Sequence, residues 1–389
     1  MKRFRVIARA ASTALVRPTE QLHVNASLDG RPVTLKFRTR YLDQGFAVRV
    51  PGDLWMDADG EASDLHLAAS AFTNLGRDVA AILALGVNAS IAPFEVEVVY
   101  ETTPDIDQRE YFQRFVPPDT PAMTSRFIDI SACGELVSAF AKSGQRDRIV
   151  RATSQYYEAL RNWRSGSELL ALAHLFMGVE AVKKACWRNC IAVSDKSKEQ
   201  LGAEWGYKED GRLSIDAFLD AEARLRLVFQ GDRDCCQLAK GTSDHFEHGF
   251  SNAGSLYKGA GECLVATARY LREAILSLVD ISAESRDVLL GDKYRKARGP
   301  SGVDTYLRAY LKGEIDKLAA EGTDYPFCEW VAKLKNVAFD SERDKYAFTP
   351  DHSWTARLGQ GATLESMRVE IWDVSSFSPP GHGEQGDPK

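Results

Sequence analysis

The stretch Ser243-Asp244-His245-Phe246-Glu247-His248-Gly249 gathers two carboxylates, two imidazoles and a hydroxyl. An imidazole titrates near neutrality and can carry a proton, and a carboxylate four residues away can orient it. A catalytic reading therefore centres on His248, with Asp244 and Glu247 beside it. A structural reading uses the same residues. Asp244 and His248 share a helix face at i,i+4, and Gly249 suits the left-handed residue that ends a helix. There a protonated imidazole meets the favourable end of the helix dipole. A metal reading would take Asp244, His245, Glu247 and His248, completed by His174 or Glu180 from a neighbouring helix. That spacing matches no pattern such as HExxH, and no metal ligand set is assigned. The structural reading is the expected one.

The segment must be carried by a helix running over about 232–247 and followed by another over 254–280. In the second, Tyr257, Leu264, Ala268, Leu271, Ile275 and Leu278 form one stripe. Further helices are expected near 134–143, 146–164, 167–190 and 214–230. Gly202, Gly206 and Gly211 break the chain between the last two. Trp163, Trp187, Trp205, Tyr156 and Tyr157 read as core anchors of this bundle rather than as a stacking surface.

Ahead of the bundle, Leu22–Leu28 and Val33–Phe37 alternate apolar and polar residues around Asp29-Gly30, which predicts a hairpin. Gly45–Val50 reads as a third strand. A helix over 65–88 presents Leu67, Ala71, Leu75, Val79, Ile82 and Leu83 inward and leaves Arg77 and Asp78 to solvent. Phe94–Tyr100 alternates as a strand. Val116-Pro117-Pro118-Asp119-Thr120-Pro121 marks a linker. Beyond 303, Val331–Phe339 and Glu365–Trp372 alternate as strands, whereas periodicity leaves Tyr306–Leu311 as either strand or helix. The tail from Ser378 is rich in Gly and Pro and is expected to be disordered.

The fold class is therefore α+β: an N-terminal sheet with a packed helix (1–116), a linker (117–129), a helical bundle (130–290) and a small antiparallel sheet (303–375), followed by a tail (376–389).

The chain has 389 residues, 44% hydrophobic and 27% charged, with a formal net charge of −6. That balance argues against the broad basic surface of a nucleic-acid binder, while leaving room for a local basic groove. The seven cysteines follow no disulfide or zinc spacing and read as reduced core thiols. The N-terminus lacks the apolar core of a signal peptide, and no stretch reaches the roughly 20 apolar residues of a membrane span. A cytoplasmic location is expected. The glycines at Gly254, Gly259 and Gly261 do not make a phosphate loop, and no cofactor is implied.

Two features resemble the HEPN superfamily, including its Apea-like members. One is the polar segment ending in His248-Gly249 before a long amphipathic helix. The other is the upstream run from Leu169 to Val182, similar to the first core helix of that fold. The likeness covers roughly 130–285. The Leu172–Val182 stretch, the Ser243–Phe250 segment, Asn74–Asn88 and Arg109–Phe112 also resemble the J-protein family of bacterial methylamine-utilisation gene clusters, over 65–285. The resemblance implies a bundle that pairs as a homodimer. In ribonucleolytic members it also implies an Arg five to seven residues before the His. Here Gly241, Thr242 and Ser243 stand at those places, and Arg233 is fifteen residues upstream. Asp244 and Glu247 would repel phosphate. The expectation is a binding or interaction protein with an unknown protein or small-molecule partner. RNA is a disfavoured partner and the membrane is not one. The alternatives are a divergent ribonuclease using His248, or a metal-dependent hydrolase at Asp244 and His248.

Overall fold

The architecture is taken from a computed structural model, which describes residues 1–43, 45, 47–104, 111–113, 126–164, 166–209, 213–249, 252–300, 303–313, 317, 327–340 and 345–373. The proline-rich stretch 116–121 and the tail 376–389 lie outside these residues, as does Gly211.

The strands β1 (Lys2–Ala10), β3 (Leu22–Leu28), β4 (Arg31–Leu42), β5 (Val50–Ala62), β6 (Glu95–Glu101) and β7 (Tyr111–Gln113) build one antiparallel sheet in the order β3-β4-β5-β1-β6-β7. A short parallel pair, β2 (Ala14–Leu15) with β8 (Arg126–Phe127), sits apart from it. The predicted hairpin is present. Asp29 and Gly30 both take positive φ (50° and 78°), the geometry that two-residue hairpin turns favour.

The strand expected over 45–50 instead begins at Val50 and runs to Ala62 through a sequence rich in Asp, Gly and Pro. Cross-strand pairing overrides its low strand propensity. Leu54, Met56 and Ala58 point into the core, while on the other face Arg9 pairs with Asp53, Arg5 with Asp57 and Arg3 with Asp59.

Helix α1 (Leu65–Val87) packs across the sheet's inner face. Its N-cap, Asp64, accepts from the Leu67 amide at 2.8 Å. Leu67 is exposed, contrary to expectation, because Leu65, Ala68 and Phe72 set the buried stripe at this end. Arg77 and Asp78 face solvent as predicted. Gly76 is required by closeness: a Cβ there would stand 2.2 Å from the Met56 sulfur.

The bundle comprises α2 (Ile130–Lys142), α3 (Arg146–Arg161), α4 (Glu168–Ser194), α5 (Lys198–Trp205), α6 (Ile215–Ala223), a π-helical turn Arg224–Val228, α7 (Arg233–His248), α8 (Ala253–Ser277), α9 (Ala283–Leu290) and α10 (Asp292–Arg295). Helix α5 falls in the connector where the glycines predict a break. A capping box between Ser197 and Gln200 starts it, Gly202 lies inside it, and Gly206 (φ 99°) ends it. The single helix expected over 214–230 is α6 followed by the π turn. Trp163, Trp187, Tyr156 and Tyr157 are buried, as anchors should be. The described cysteines are free thiols, and burial pushes those of Cys133, Cys186 and Cys263 up to about 12.

One hydrophobic core runs without a break from the sheet, through α1, into α2, α3, α4, α7 and α8. At its centre is a buried polar hub around the C-terminus of α1. Asn88 adopts the left-handed conformation (φ 51°). Its side chain accepts from the Tyr156 hydroxyl at 2.7 Å and donates to the Tyr294 carbonyl at 3.0 Å. Arg272, from α8, donates to the carbonyls of Leu85, Gly86 and Leu289 at 2.6–2.7 Å. Arg126 donates to the Val87 and Asn88 carbonyls, and burial beside Arg298 and Arg272 pushes its pKa down to about 10.

The C-terminal strands pair antiparallel, β10 (Phe327–Asp340) with β11 (Lys345–Arg357), and β9 (Val303–Lys312) with β12 (Thr363–Asp373). The ambiguous segment at 306–311 is thus a strand. Phe339 and Tyr346 of the first hairpin pack on Leu15 and Phe127, beside the N-terminal sheet. No helix among the described residues is long and apolar enough to cross a membrane.

Candidate functional site

Helix α7 buries Cys236, Ala239, Thr242 and Ser243. Thr242 packs where a Cβ on Gly259 of α8 would come within 2.6 Å of its hydroxyl oxygen. This close approach orients the rest of the helix. Lys240, Asp244 and Glu247, at i, i+4 and i+7, then fall on one stripe. Asp232 caps the helix start, accepting from the Cys235 amide at 3.0 Å and from the Tyr270 hydroxyl at 2.9 Å. Gly249 ends it in the left-handed conformation (φ 68°), with its amide donating to the His245 carbonyl. The predicted C-terminal glycine is in place.

The Lys240–Asp244–Glu247 stripe forms one wall of a groove of about 520 Å³, whose other lining residues are Arg151, Phe176, Met177, Glu180, Ala181 and Arg224. Of the sequence-predicted residues, Asp244, Glu247 and Glu180 are brought together here. His248 lies at the exposed end of α7, outside the lining. His174 faces α3, with its Nδ1 2.9 Å from the Gln155 side-chain oxygen, and burial holds its pKa below the ordinary value. Arg233 stands at the opposite end of α7 from His248, about 22 Å away at 1.5 Å per residue.

The electrostatics are internally balanced. Asp244 is engaged by Lys240 at 2.6 Å. Glu180 lies against Lys183 and Arg224, the latter pair at 3.1 Å without the alignment of a good hydrogen bond. The Arg224 guanidinium also lies 5.9 Å from the centre of the Phe176 ring. Arg224 opens the π turn, in which the Phe229 amide reaches back five residues to the Arg224 carbonyl at 2.9 Å. Single π turns recur at functional sites. Among the described residues, no three His, Cys, Asp or Glu side chains converge as a metal site. Sequence reasoning missed Arg151, Met177, Arg224 and Lys240. Only the i,i+4,i+7 spacing of Lys240 with Asp244 and Glu247 could have flagged one of them.

The capping carboxylate gives a pH test. Hydrogen bonds from the Cys235 amide and the Tyr270 hydroxyl lower the Asp232 pKa below the usual carboxylate value. Its contribution is therefore fully present above the unfolded value of about 3.9, and is lost as pH falls through the folded one. Asp232→Ala should cost about 1 kcal/mol in urea unfolding at neutral pH. Asp232→Asn, which still accepts, should lose less, and its difference from the parent should shrink as pH drops below about 4.

No family model, no curated protein and no solved structure matches this chain. Its class is defined by its own geometry: an α+β protein in which an antiparallel sheet and a helical bundle share one core, with a charge-balanced groove on the bundle.

Proposed function

We propose that this chain is an interaction protein, HEPN-like in its helical bundle and akin to the methylamine-utilisation J-protein family, that works as a homodimer through the α4–α7 face. The observation that carries the reading is the self-complementary make-up of that face. The groove presents three cations (Arg151, Arg224, Lys240) and three anions (Glu180, Asp244, Glu247) around Phe176 and Met177. On α4, Leu170 and Met177 lie two turns apart and are 47% and 40% exposed. An interface with two-fold symmetry sets the same patch against itself, so it needs both charges and a shared apolar strip. A single-sign patch would repel its copy.

The groove suits catalysis poorly. Asp244 is occupied by Lys240, and three carboxylates border the place a phosphate would take. Purified protein should cleave no single-stranded RNA without added metal. Cleavage that His248→Ala abolishes would restore the ribonuclease reading.

Sedimentation velocity tests the dimer. The parent should sediment at twice the mass of the chain at micromolar concentration, and Met177→Glu should shift it to monomer with an unchanged circular dichroism spectrum. A monomeric parent, or a dimer indifferent to Met177→Glu, would refute the proposal.

A further inference from the structure

A second groove, sharing no lining residue with the first, opens where three parts of the bundle meet. Its walls are the junction of α2 and α3, the last turns of α4, and the segment that follows α8. It measures about 530 Å³, within the roughly 300–1,000 Å³ of small-molecule pockets. Lys142, Gln145, Arg188 and Asp280 line it, and among the described residues no ion pair or hydrogen bond engages any of their side chains. Gln145 stands at the N-cap of α3, where Ser, Thr, Asp or Asn would turn back onto the helix. It makes no such bond, and its Oε1 is buried without a donor. A buried acceptor left so is costly, and folded proteins seldom carry one. Arg188 is half-buried, with its guanidinium carbon 5.7 Å from the centre of the Trp187 ring. That ring is itself anchored, its Nε1 donating to Asp220 at 2.7 Å. Stacking on an aromatic face fixes a guanidinium plane and leaves its N–H edge in position to donate. The groove's other carboxylate, Glu135, is already taken. It accepts from the Ser282 amide at 2.6 Å, the Ser282 hydroxyl at 2.8 Å and the Ser285 hydroxyl.

We infer that this groove binds the zwitterion of a free α-amino acid with an uncharged side chain. Two available cations and one available anion in a single groove match a ligand that carries both charges. A plain anion would be repelled by Asp280, and a plain cation by Lys142 and Arg188. Arg188 takes the carboxylate through paired N–H donors, and Lys142 adds its charge. The ammonium donates to Asp280 and to the Gln145 Oε1, giving that buried acceptor its donor. Ala139 and Leu278 offer apolar surface to the ligand's side chain, where a further charge would find no partner.

Calorimetric titration of the full chain with glycine and the L forms of alanine, leucine, glutamine and phenylalanine decides the matter. At least one should bind at millimolar concentration. For the tightest of them, the counterpart lacking the amino group and the counterpart lacking the carboxylate should each bind at least about tenfold more weakly, since each gives up a charge-assisted contact. Arg188→Met and Asp280→Asn should each weaken the amino acid by at least about tenfold with an unchanged thermal melt. Gln145→Met removes the buried acceptor, so it should weaken binding while raising the melting temperature of the free protein. A melt that rises with binding unchanged would take Gln145 out of the site and overturn its assigned role. Met177→Glu should leave binding intact, so that loss of the dimer and loss of this site read out separately. No heat from any of the five amino acids would overturn the assignment. So would a carboxylate or amine counterpart that binds as tightly as the amino acid, or affinity that survives both Arg188→Met and Asp280→Asn.

Discussion

Replacing Arg272 with methionine should destabilise the protein by about 4 kcal/mol or more, a large part of the roughly 5–15 kcal/mol that holds a domain together. Arg272 is 3% exposed and donates to three main-chain carbonyls. Burying an unpaired cation is costly, and swapping a buried charge for an apolar side chain can be neutral or stabilising. The opposite sign is expected here because the acceptors stay behind. Leu85 and Gly86 lie in the last turn of α1, and Leu289 in the last turn of α9. Methionine would leave all three carbonyls buried without a donor at the negative ends of two helices. Hydrogen bonds to a charged group contribute about 1.5–3 kcal/mol each. Arg272→Lys, with one compact head, should recover less than half. Urea unfolding followed by circular dichroism gives the number. A loss below about 1.5 kcal/mol for Arg272→Met would mean that the hub does not tie the sheet to the bundle.

The second large effect is expected at Gly299. A Cβ there would lie 1.9 Å from the Trp163 carbonyl oxygen and 2.9 Å from its carbon. The obstacle is main chain, so no side chain can swing aside. Nor can the glycine retreat easily. The Thr13 hydroxyl donates to its carbonyl at 3.1 Å, and the neighbouring Arg298 amide donates to the Asn88 carbonyl at 3.0 Å. Gly299→Ala should cost about 3 kcal/mol, at the upper end of overpacking losses. Gly261, in α8, is the control. Nothing lies within 4 Å of a Cβ there, and Gly261→Ala should be neutral or stabilise by up to about 1 kcal/mol through helix propensity. Equal thermal melts for the two variants would contradict this account of the hub.

Much of the architecture is legible in the sequence because it rests on short-range rules. Asp29-Gly30 dictates its hairpin, and helical periodicity locates α1, α3, α4, α7 and α8 to within a few residues. Elements specified by distant partners are not legible in the same way. Strand β5 reads as turn chemistry until its aspartates meet the arginines of β1. The capping box of α5 lies in a segment that its glycines mark as a break. The same division governs the candidate site. The helix end at Gly249 follows from local residue types, whereas Arg151 reaches the groove from α3, far away in sequence, and Arg224 from a π turn where periodicity predicts an unbroken helix. The basic residues of β4 alternate visibly as Lys36, Arg38 and Arg40. What gathers two of them into one groove with Arg17 and Arg49 is the pairing and bending of the sheet, which no local pattern announces.

The most direct test of the functional account is to place a photo-crosslinking phenylalanine analogue at Met177 and irradiate the purified protein. If two copies meet through the α4–α7 face, the product is a covalent dimer whose adducts map to peptides of α4 or α7 in the second copy, and Asp244→Lys suppresses it. Irradiation that yields only monomer, or adducts confined to the sheet or the C-terminal hairpins, would contradict the proposed interface.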